Sequence, residues 1–508
     1  MQLVAYGAQD VYLTGNPQIT FWKVVYRRHT NFAVESIEQV FNGSGDFAKK
    51  VSCQIQRNGD LITKMYLRVV LPALGAGLAW CSKVGHAMLK SVELNIGGTT
   101  IDKHYGDWFN VWYELARKFA HDRGYAQMIG DTAELTVPDQ GTVATTLWVP
   151  LYFFHCRNDG LALPLIATQY HDTRIDIEFQ PLVSLLCGPS AATAPSATSL
   201  GSCSLFVDYV YLDSEERKKF AQASHEYLIE QLQFTGAESV TSQTSKFRLN
   251  FNHPCKALYW NIQQNKFLGG SNTFLAYNPR DWQATKVLAT KRAALAWGSL
   301  SGVTYTGSGS AAVDAAQVTV VDMSASQVDV DNLVVLGSLL SDDLVSKPIS
   351  QWTGLTRVGA GSDGSATKDV VVRQFDNYGV FLNKTVNPCA TVLLQLNGQD
   401  RFSVREGIYF NYVQPWQCHS NTPADGINLY SFALNPEEHQ PSGTCNMSRI
   451  DNATLNLTFI TSASVFSNGV APASASVSVA SDAICNIYAT NYNVLRIMSG
   501  MAGLAYSN

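Results

Sequence analysis

The sequence predicts an all-β chain built on a duplicated domain. Three observations predict it. Short runs alternate apolar and polar residues with a period of two, helical periodicity is scarce, and the same signals recur in the same order in both halves of the 508 residues. Runs of this period rich in Val, Ile, Thr, Tyr and Phe suit strands with one face buried and the other wet.

The alternation is clearest at Lys64 to Leu71, Thr173 to Phe179 and Ala453 to Phe459. Turn signals punctuate it at Asn58-Gly59-Asp60, Gly97-Gly98, Asn397-Gly398 and Pro441-Ser442-Gly443. Many short strands with turns between them point to sandwiches or barrels. Two segments read most clearly as helix. From Asp107 to Phe119, the residues Trp108, Trp112, Leu115 and Phe119 share one face. From Asp213 to Phe220, the run Glu215-Glu216-Arg217-Lys218-Lys219 reads as a solvated helix face or linker.

The duplication rests on three matches. Leu94 to Gly98 leads to Trp108-Phe109-Asn110, as Leu394 to Gly398 leads to Tyr409-Phe410-Asn411. Leu151-Tyr152 precedes Arg174-Ile175-Asp176, as Leu429-Tyr430 precedes Arg449-Ile450-Asp451. Cys203-Ser204-Leu205-Phe206 and Cys485-Asn486-Ile487-Tyr488 each head a strand near the end of a half. The halves then span roughly 19–212 and 228–508, with 213–227 as linker. The second half carries an excess at about 262–392, with Gly/Ser-rich pieces and the strand-like runs Gln317 to Val321 and Asp369 to Gln374. A loop this long without structure is uncommon in a compact domain, so the excess is expected to be a folded insertion at one end of the second barrel.

Charge narrows the function classes. Lys and Arg total 36, Asp and Glu total 41, and charged residues are 15% of the chain, against about 25% in an ordinary soluble protein. A net charge of −5 argues against a basic coat that grips nucleic acid by itself. Few surface charges are also what a protein buried against partners requires, because interface cores are depleted in charge. The first residues lack a basic n-region and a long apolar h-region, so no secretory signal is expected. No apolar run reaches the roughly 18 residues a membrane-spanning helix needs.

Motifs of chemistry are sought and not found. Gly359, Gly361 and Gly364 form a G-x-G-x-x-G without the flanking strand and helix that would hold a dinucleotide. Gly298 to Gly302 has Leu300 where a nucleophile elbow needs Ser. Asp329-Val330-Asp331-Asn332 lacks the Gly and the closing Glu of a calcium loop. The ten cysteines contain no C-x-x-C pair and read as reduced, mostly buried thiols. No catalytic, cofactor-binding or metal-ligating residue is therefore expected. Five glycosylation sequons occur, at Asn42, Asn383, Asn446, Asn452 and Asn456, with Asn452 and Asn456 on one strand face.

The chain resembles the major capsid proteins of nucleocytoplasmic large DNA viruses, and most of all the phycodnavirus (chlorella-virus) type. The residues that carry the resemblance are Gln2 to Tyr12, Gly15 to Phe21, Val25 to Phe32, Arg57 to Ile62, Ile101 to Phe109 and Gly160 to His171. In the second half they are Glu226 to Gly236, Arg248 to Pro254, Leu396 to Phe402, Gln440 to Leu455 and Asn486 to Tyr506. The resemblance fails between about 262 and 392.

The resemblance implies two consecutive eight-stranded jelly-roll barrels with short helices and long loop insertions. It implies a late structural protein, not an enzyme and without cofactor, that closes as a homotrimeric, pseudo-hexagonal capsomer and tiles an icosahedral shell. The barrels would stand perpendicular to the shell, with the 262–392 insertion outward and residues 1–18 as an arm on the inner face. Implied partners are the chain itself, neighbouring capsomers, minor capsid and penton proteins and, indirectly, an inner virion membrane, with no sequence-specific contact to nucleic acid. The expected location is the virion capsid, assembled in the host cytoplasm. The alternative is a jelly-roll module that binds glycans or a receptor on a virion or cell surface. A cupin-type enzyme would need a His-rich cluster inside a barrel, and the expected strands place none.

Overall fold

The computed structural model describes residues 7–17, 28–75, 78–81, 83–132, 135, 142–187, 198–264, 387–423, 426–459 and 483–506, with short strand pieces at 304–305, 318–319, 356–358 and 369–371. Sixteen of its strands form two barrels of one design. The first contains β1 (Phe32–Val40), β2 (Lys50–Gln54), β3 (Leu61–Leu71), β4 (Leu89–Ile96), β5 (Thr99–His104), β6 (Thr145–Pro150), β7 (Thr173–Phe179) and β8 (Cys203–Leu212). They lie in two antiparallel sheets ordered β1-β8-β3-β6 and β2-β7-β4-β5.

The second barrel contains β9 (His225–Phe234), β10 (Thr244–Arg248), β11 (Pro254–Gln264), β12 (Cys389–Leu396), β13 (Gln399–Asp400), β14 (Asn428–Ser431), β15 (Ala453–Phe459) and β16 (Ala483–Met498). Its sheets are ordered β9-β16-β11-β14 and β10-β15-β12-β13. Within each barrel, strands one, eight, three and six face strands two, seven, four and five. This is the eight-stranded jelly roll, so the chain is a double jelly roll.

The alternation expected from sequence is the alternation observed. β15 buries Ala453, Leu455, Leu457 and Phe459 and turns Thr454, Asn456 and Thr458 outward. The turns between strands four and five match in both barrels: Ile96 pairs with Thr99 across Gly97-Gly98, and Leu396 with Gln399 across Asn397-Gly398. All four turn residues have positive φ, as a two-residue hairpin twisted to suit its strands requires. The helix expected from Asp107 runs Gly106–Ala116, and the one expected from Asp213 runs Ser214–Gln222 with the Asp213 carboxylate as N-cap. Glu215, Arg217, Lys218 and Lys219 are exposed.

Two expectations need correction. The insertion's ends were drawn at about 262 and 392, but β11 continues to Gln264 and β12 begins at Cys389. Gln263 and Gln264, inside the expected insertion, pair with Ile484 and Ala483. The connection is therefore residues 265–388, within which 304–305 pairs with 318–319 and 356–358 with 369–371. The match of Arg174-Ile175-Asp176 to Arg449-Ile450-Asp451 is out of register. Ile175 lies opposite Leu94, but the residue opposite Leu394 is Leu455. Arg449 ends a 3-10 turn before β15.

Candidate assembly interface

The two barrels meet along a buried seam built from the first barrel's 106–116 helix. β11 alternates as a strand should, but both of its faces are covered. Leu258, Trp260 and Ile262 enter the second barrel's core, whereas Ala257 and Tyr259 turn toward the first barrel. Trp108, Val111, Trp112 and Leu115 of the helix pack there against Ala257, Tyr259, Ile427, Leu429 and Tyr488. The Trp108 ring meets Tyr259 edge-on at 5.0 Å and Tyr488 at 5.7 Å. The helix can start this close to its own barrel because residue 106 is glycine. A Cβ there would stand 2.2 Å from the Leu89 carbonyl oxygen and 2.5 Å from that of His86.

Polar groups fix the register of the seam. Asp107 Oδ2 accepts hydrogen bonds from Asn261 Nδ2 at 2.7 Å and from the Tyr488 hydroxyl at 3.1 Å. The Leu232 backbone N–H donates to Asp102 Oδ1 at 3.0 Å. At the helix C-terminus, where carbonyls lack intrahelical partners, the Asn421 N–H donates to the Leu115 carbonyl at 3.1 Å. The Asn421 amide also donates to the Arg117 carbonyl.

A buried charge cluster closes one end of the seam. Glu230 of β9 bridges Arg157 of the first barrel at 2.8 Å and Lys256 of β11 at 2.6 Å. The Arg157 guanidinium stacks 4.0 Å from the Trp112 ring centroid, and Lys256 Nζ also donates to the Glu438 carbonyl at 3.1 Å. Burial, opposed by Glu230, holds the Lys256 ammonium below the ordinary lysine range. A cavity of about 500 Å³ opens beside this cluster, its lining including Tyr66, Trp112, Pro150, Tyr152, Arg157, Glu230 and His439. The one thiol in its lining, Cys156, is pushed up to about 12 by burial, so it stays protonated.

Several apolar side chains face solvent. β1 is an edge strand with Phe32, Val34 and Val40 more than half exposed. The 8–14 helix buries no residue and exposes Val11, Tyr12 and Leu13. Val404, Ile408, Val413 and Trp416 lie in the excursion between β13 and β14, with Trp416 78% exposed. Exposed apolar groups in clusters mark contact surfaces.

The sequons separate. Asn42, Asn446 and Asn452 are exposed. Asn446 caps a 3-10 turn by accepting from the Ser448 N–H. Asn456 is half-buried and donates to Gln395 Oε1 at 3.0 Å. Asn383, the 359–364 glycines, Gly298 to Gly302 and Asp329 to Asn332 lie outside the described residues. Among the described residues, no cluster of three His, Cys, Asp or Glu has metal-holding geometry, and no helix is long and apolar enough to cross a membrane.

Two family models cover both barrels: one described as large eukaryotic DNA virus major capsid protein matches residues 216–503, and one described as major capsid protein N-terminus matches 20–213. The chain belongs to the major capsid protein family of large eukaryotic DNA viruses. It is 45% identical to the major capsid protein of Phaeocystis pouchetii virus and 42% to that of Paramecium bursaria Chlorella virus 1, over 100% of this chain and 99% of each relative. The solved structure of the PBCV-1 protein VP54 superposes with a TM-score of 0.67 at 37% identity, covering 96% of this chain and all of VP54. This major capsid protein is a structural component of a viral shell rather than an enzyme, and its place is the virion capsid.

Sequence reasoning named Trp108, Trp112 and Leu115 as one helix face but not what that face covers. It missed the cluster of Arg157, Glu230 and Lys256 altogether. The available signal was a charged residue inside each of two otherwise strand-like runs, Glu230 in β9 and Lys256 in β11.

Proposed function

We propose that three copies of this major capsid protein close into a pseudo-hexagonal capsomer that tiles an icosahedral shell. The observation that carries the reading is the seam. Two barrels of identical winding are held side by side by a buried aromatic cluster, buried ion pairs and hydrogen bonds. One chain then contributes two of six equivalent corners, and a head-to-tail contact that closes at three copies stops growth. The low charge density, 15% of residues, lets neighbouring capsomers approach without strong repulsion.

In this reading residues 1–18 form an arm on the inner face, and the bare Val11, Tyr12 and Leu13 meet minor capsid proteins or the layer over an inner membrane. The insertion, residues 265–388, projects outward, penton proteins fill the vertices, and assembly takes place in the host cytoplasm. The exposed Asn42, Asn446 and Asn452 are the sequons a glycosylating enzyme would reach. Light scattering on the purified protein tests the central claim. The expected species has three times the 55.6 kDa chain mass; a monomer at every concentration refutes it.

A further inference from the structure

We infer that the helical excursion between β13 and β14 docks on the first barrel of a second copy, through Val413 and Trp416. The inference rests on the trimer reading above and names the surfaces that would close it.

The two barrels carry equivalent excursions after strand five. In the first barrel it is the Gly106–Ala116 helix, and in the second a helical segment through Tyr409–Val413 and Gln414–Cys418. Phe109 and Phe410 anchor them, each fully buried in its own barrel's core, and the next residues, Asn110 and Asn411, are also buried. Aligned on these anchors, Trp112 corresponds to Val413 and Leu115 to Trp416. Trp112 and Leu115 are buried because the second barrel of the same chain covers them. Val413 is 37% and Trp416 78% exposed. The same stripe, apolar in both copies of the repeat, is covered in one and bare in the other.

The receiving face is present as well. In the second barrel the first helix lands on Tyr259 and Tyr488, on the outer side of the sheet that holds β11 and β16. The strand register gives their first-barrel counterparts. Trp260 pairs with Ile487, and Leu67 with Leu205. Tyr259 therefore corresponds to Tyr66 and Tyr488 to Phe206. Both are aromatic and half-buried, and Phe206 lies 4.8 Å from the half-buried Trp148. Tyr66 borders the seam cavity beside Trp112 and Arg157, whereas Phe206 and Trp148 stay half-buried on this face. The helix stripe belongs to the second barrel and the half-buried sheet face to the first, and with Trp416 78% exposed the one does not cover the other within the chain. They can meet between copies, where each copy offers its second-barrel helix to the next copy's first-barrel sheet. Such a heterologous contact repeats the intrachain seam and closes as a ring. Aromatic anchors on a rigid helix suit the core of an interface.

Light scattering on the full chain and on Trp416→Asp and Phe206→Asp variants tests this, with Trp416→Phe as the conservative control. Each Asp variant should lose the species at three times the chain mass and run as a monomer, while far-UV circular dichroism and the melting profile stay those of the native chain. Trp416→Phe should restore the trimer. A trimer that survives both Asp substitutions overturns the docking surfaces and leaves the capsomer reading standing. A native chain that is monomeric at every concentration overturns both.

Discussion

Acid should destabilise this capsid protein through His155, and the size of the effect follows from its surroundings. His155 sits in the short Phe154–Arg157 helix after β6, with no exposed surface. Its ring lies parallel to Phe153 at 6.1 Å and edge-on to Phe154 at 5.1 Å. Neither ring nitrogen has a hydrogen-bond partner among the described residues. Burial therefore pushes its pKa from 6.5 down to about 3, against a smaller opposing pull from Asp102. The folded state keeps this imidazole neutral over a pH range where the unfolded chain protonates it. Stability is thus lost as pH falls from about 6.5 toward 3, at ~1.4 kcal/mol per unit, which amounts to roughly 5 kcal/mol across the window and about 3 kcal/mol by pH 4. His155→Leu removes the titration and two unsatisfied nitrogens, so at pH 7 the variant should be at least as stable as the native chain. Urea unfolding of both proteins at pH 7, 6, 5 and 4 gives the comparison. The contributions of the carboxylates and of the other histidines, His86 and His104 among them, are common to both and cancel. The native chain should lose about 3 kcal/mol more than the variant between pH 7 and 4. Parallel stability curves would show that His155 is either hydrated or already protonated in the fold, and the argument would fail.

Three further expectations concern the seam and the second barrel. Trp108→Ala removes a 3% exposed ring from between the barrels and should cost ~3–5 kcal/mol. Calorimetry should resolve separate barrel transitions in the variant, and an unchanged melting profile contradicts the seam. Glu230→Gln leaves Lys256 buried without its counter-charge and should cost roughly 3–5 kcal/mol. Adding Lys256→Met should recover most of that, which a double-mutant cycle by urea unfolding measures. Cys255 lies directly opposite Cys445 in the ladder, a spacing within disulfide reach. Diamide is expected to join them by taking up their two hydrogens, read as a Cys255–Cys445 peptide by mass spectrometry, and a different pairing refutes the register argument.

Local chemistry was legible and shared surfaces were not. The two hairpins at Gly97-Gly98 and Asn397-Gly398 are set by φ > 0 residues next to alternating strands, so sequence finds them without knowing the fold. The 106–116 helix announces its apolar face for the same reason. β11 behaves differently. Its run from Ala257 to Ile262 is buried throughout, because one face meets its own core and the other meets a helix more than a hundred residues away. Periodicity cannot separate those two faces. The Arg-Ile-Asp match failed because a period-2 pattern allows the same triplet to recur near many strand starts, and only the pairing with β4 and β12 fixes which residues correspond. Arg157, Glu230 and Lys256 come from three separate elements, so no local pattern joins them.

The asymmetry between the halves explains why a duplicated chain need not make a closed two-barrel unit. Had both helical excursions packed within the chain, each barrel would cover the other and nothing would remain to recruit a neighbour. The geometry prevents this. The 106–116 helix reaches the outer face of β11 and β16, while the corresponding sheet face of its own barrel, with Tyr66 and Phe206, stays half-exposed. A contact that runs from one barrel to the next in a single direction always leaves one donor and one acceptor unused at the ends of a two-barrel chain. Ring closure is the only finite arrangement that satisfies both. The residues that hold the seam and the residues left exposed at the ends therefore occupy equivalent positions of one repeated design. A substitution in the intrachain seam, such as Trp108→Ala, should act on folding, whereas its counterpart at Trp416 is expected to act on assembly with the fold intact.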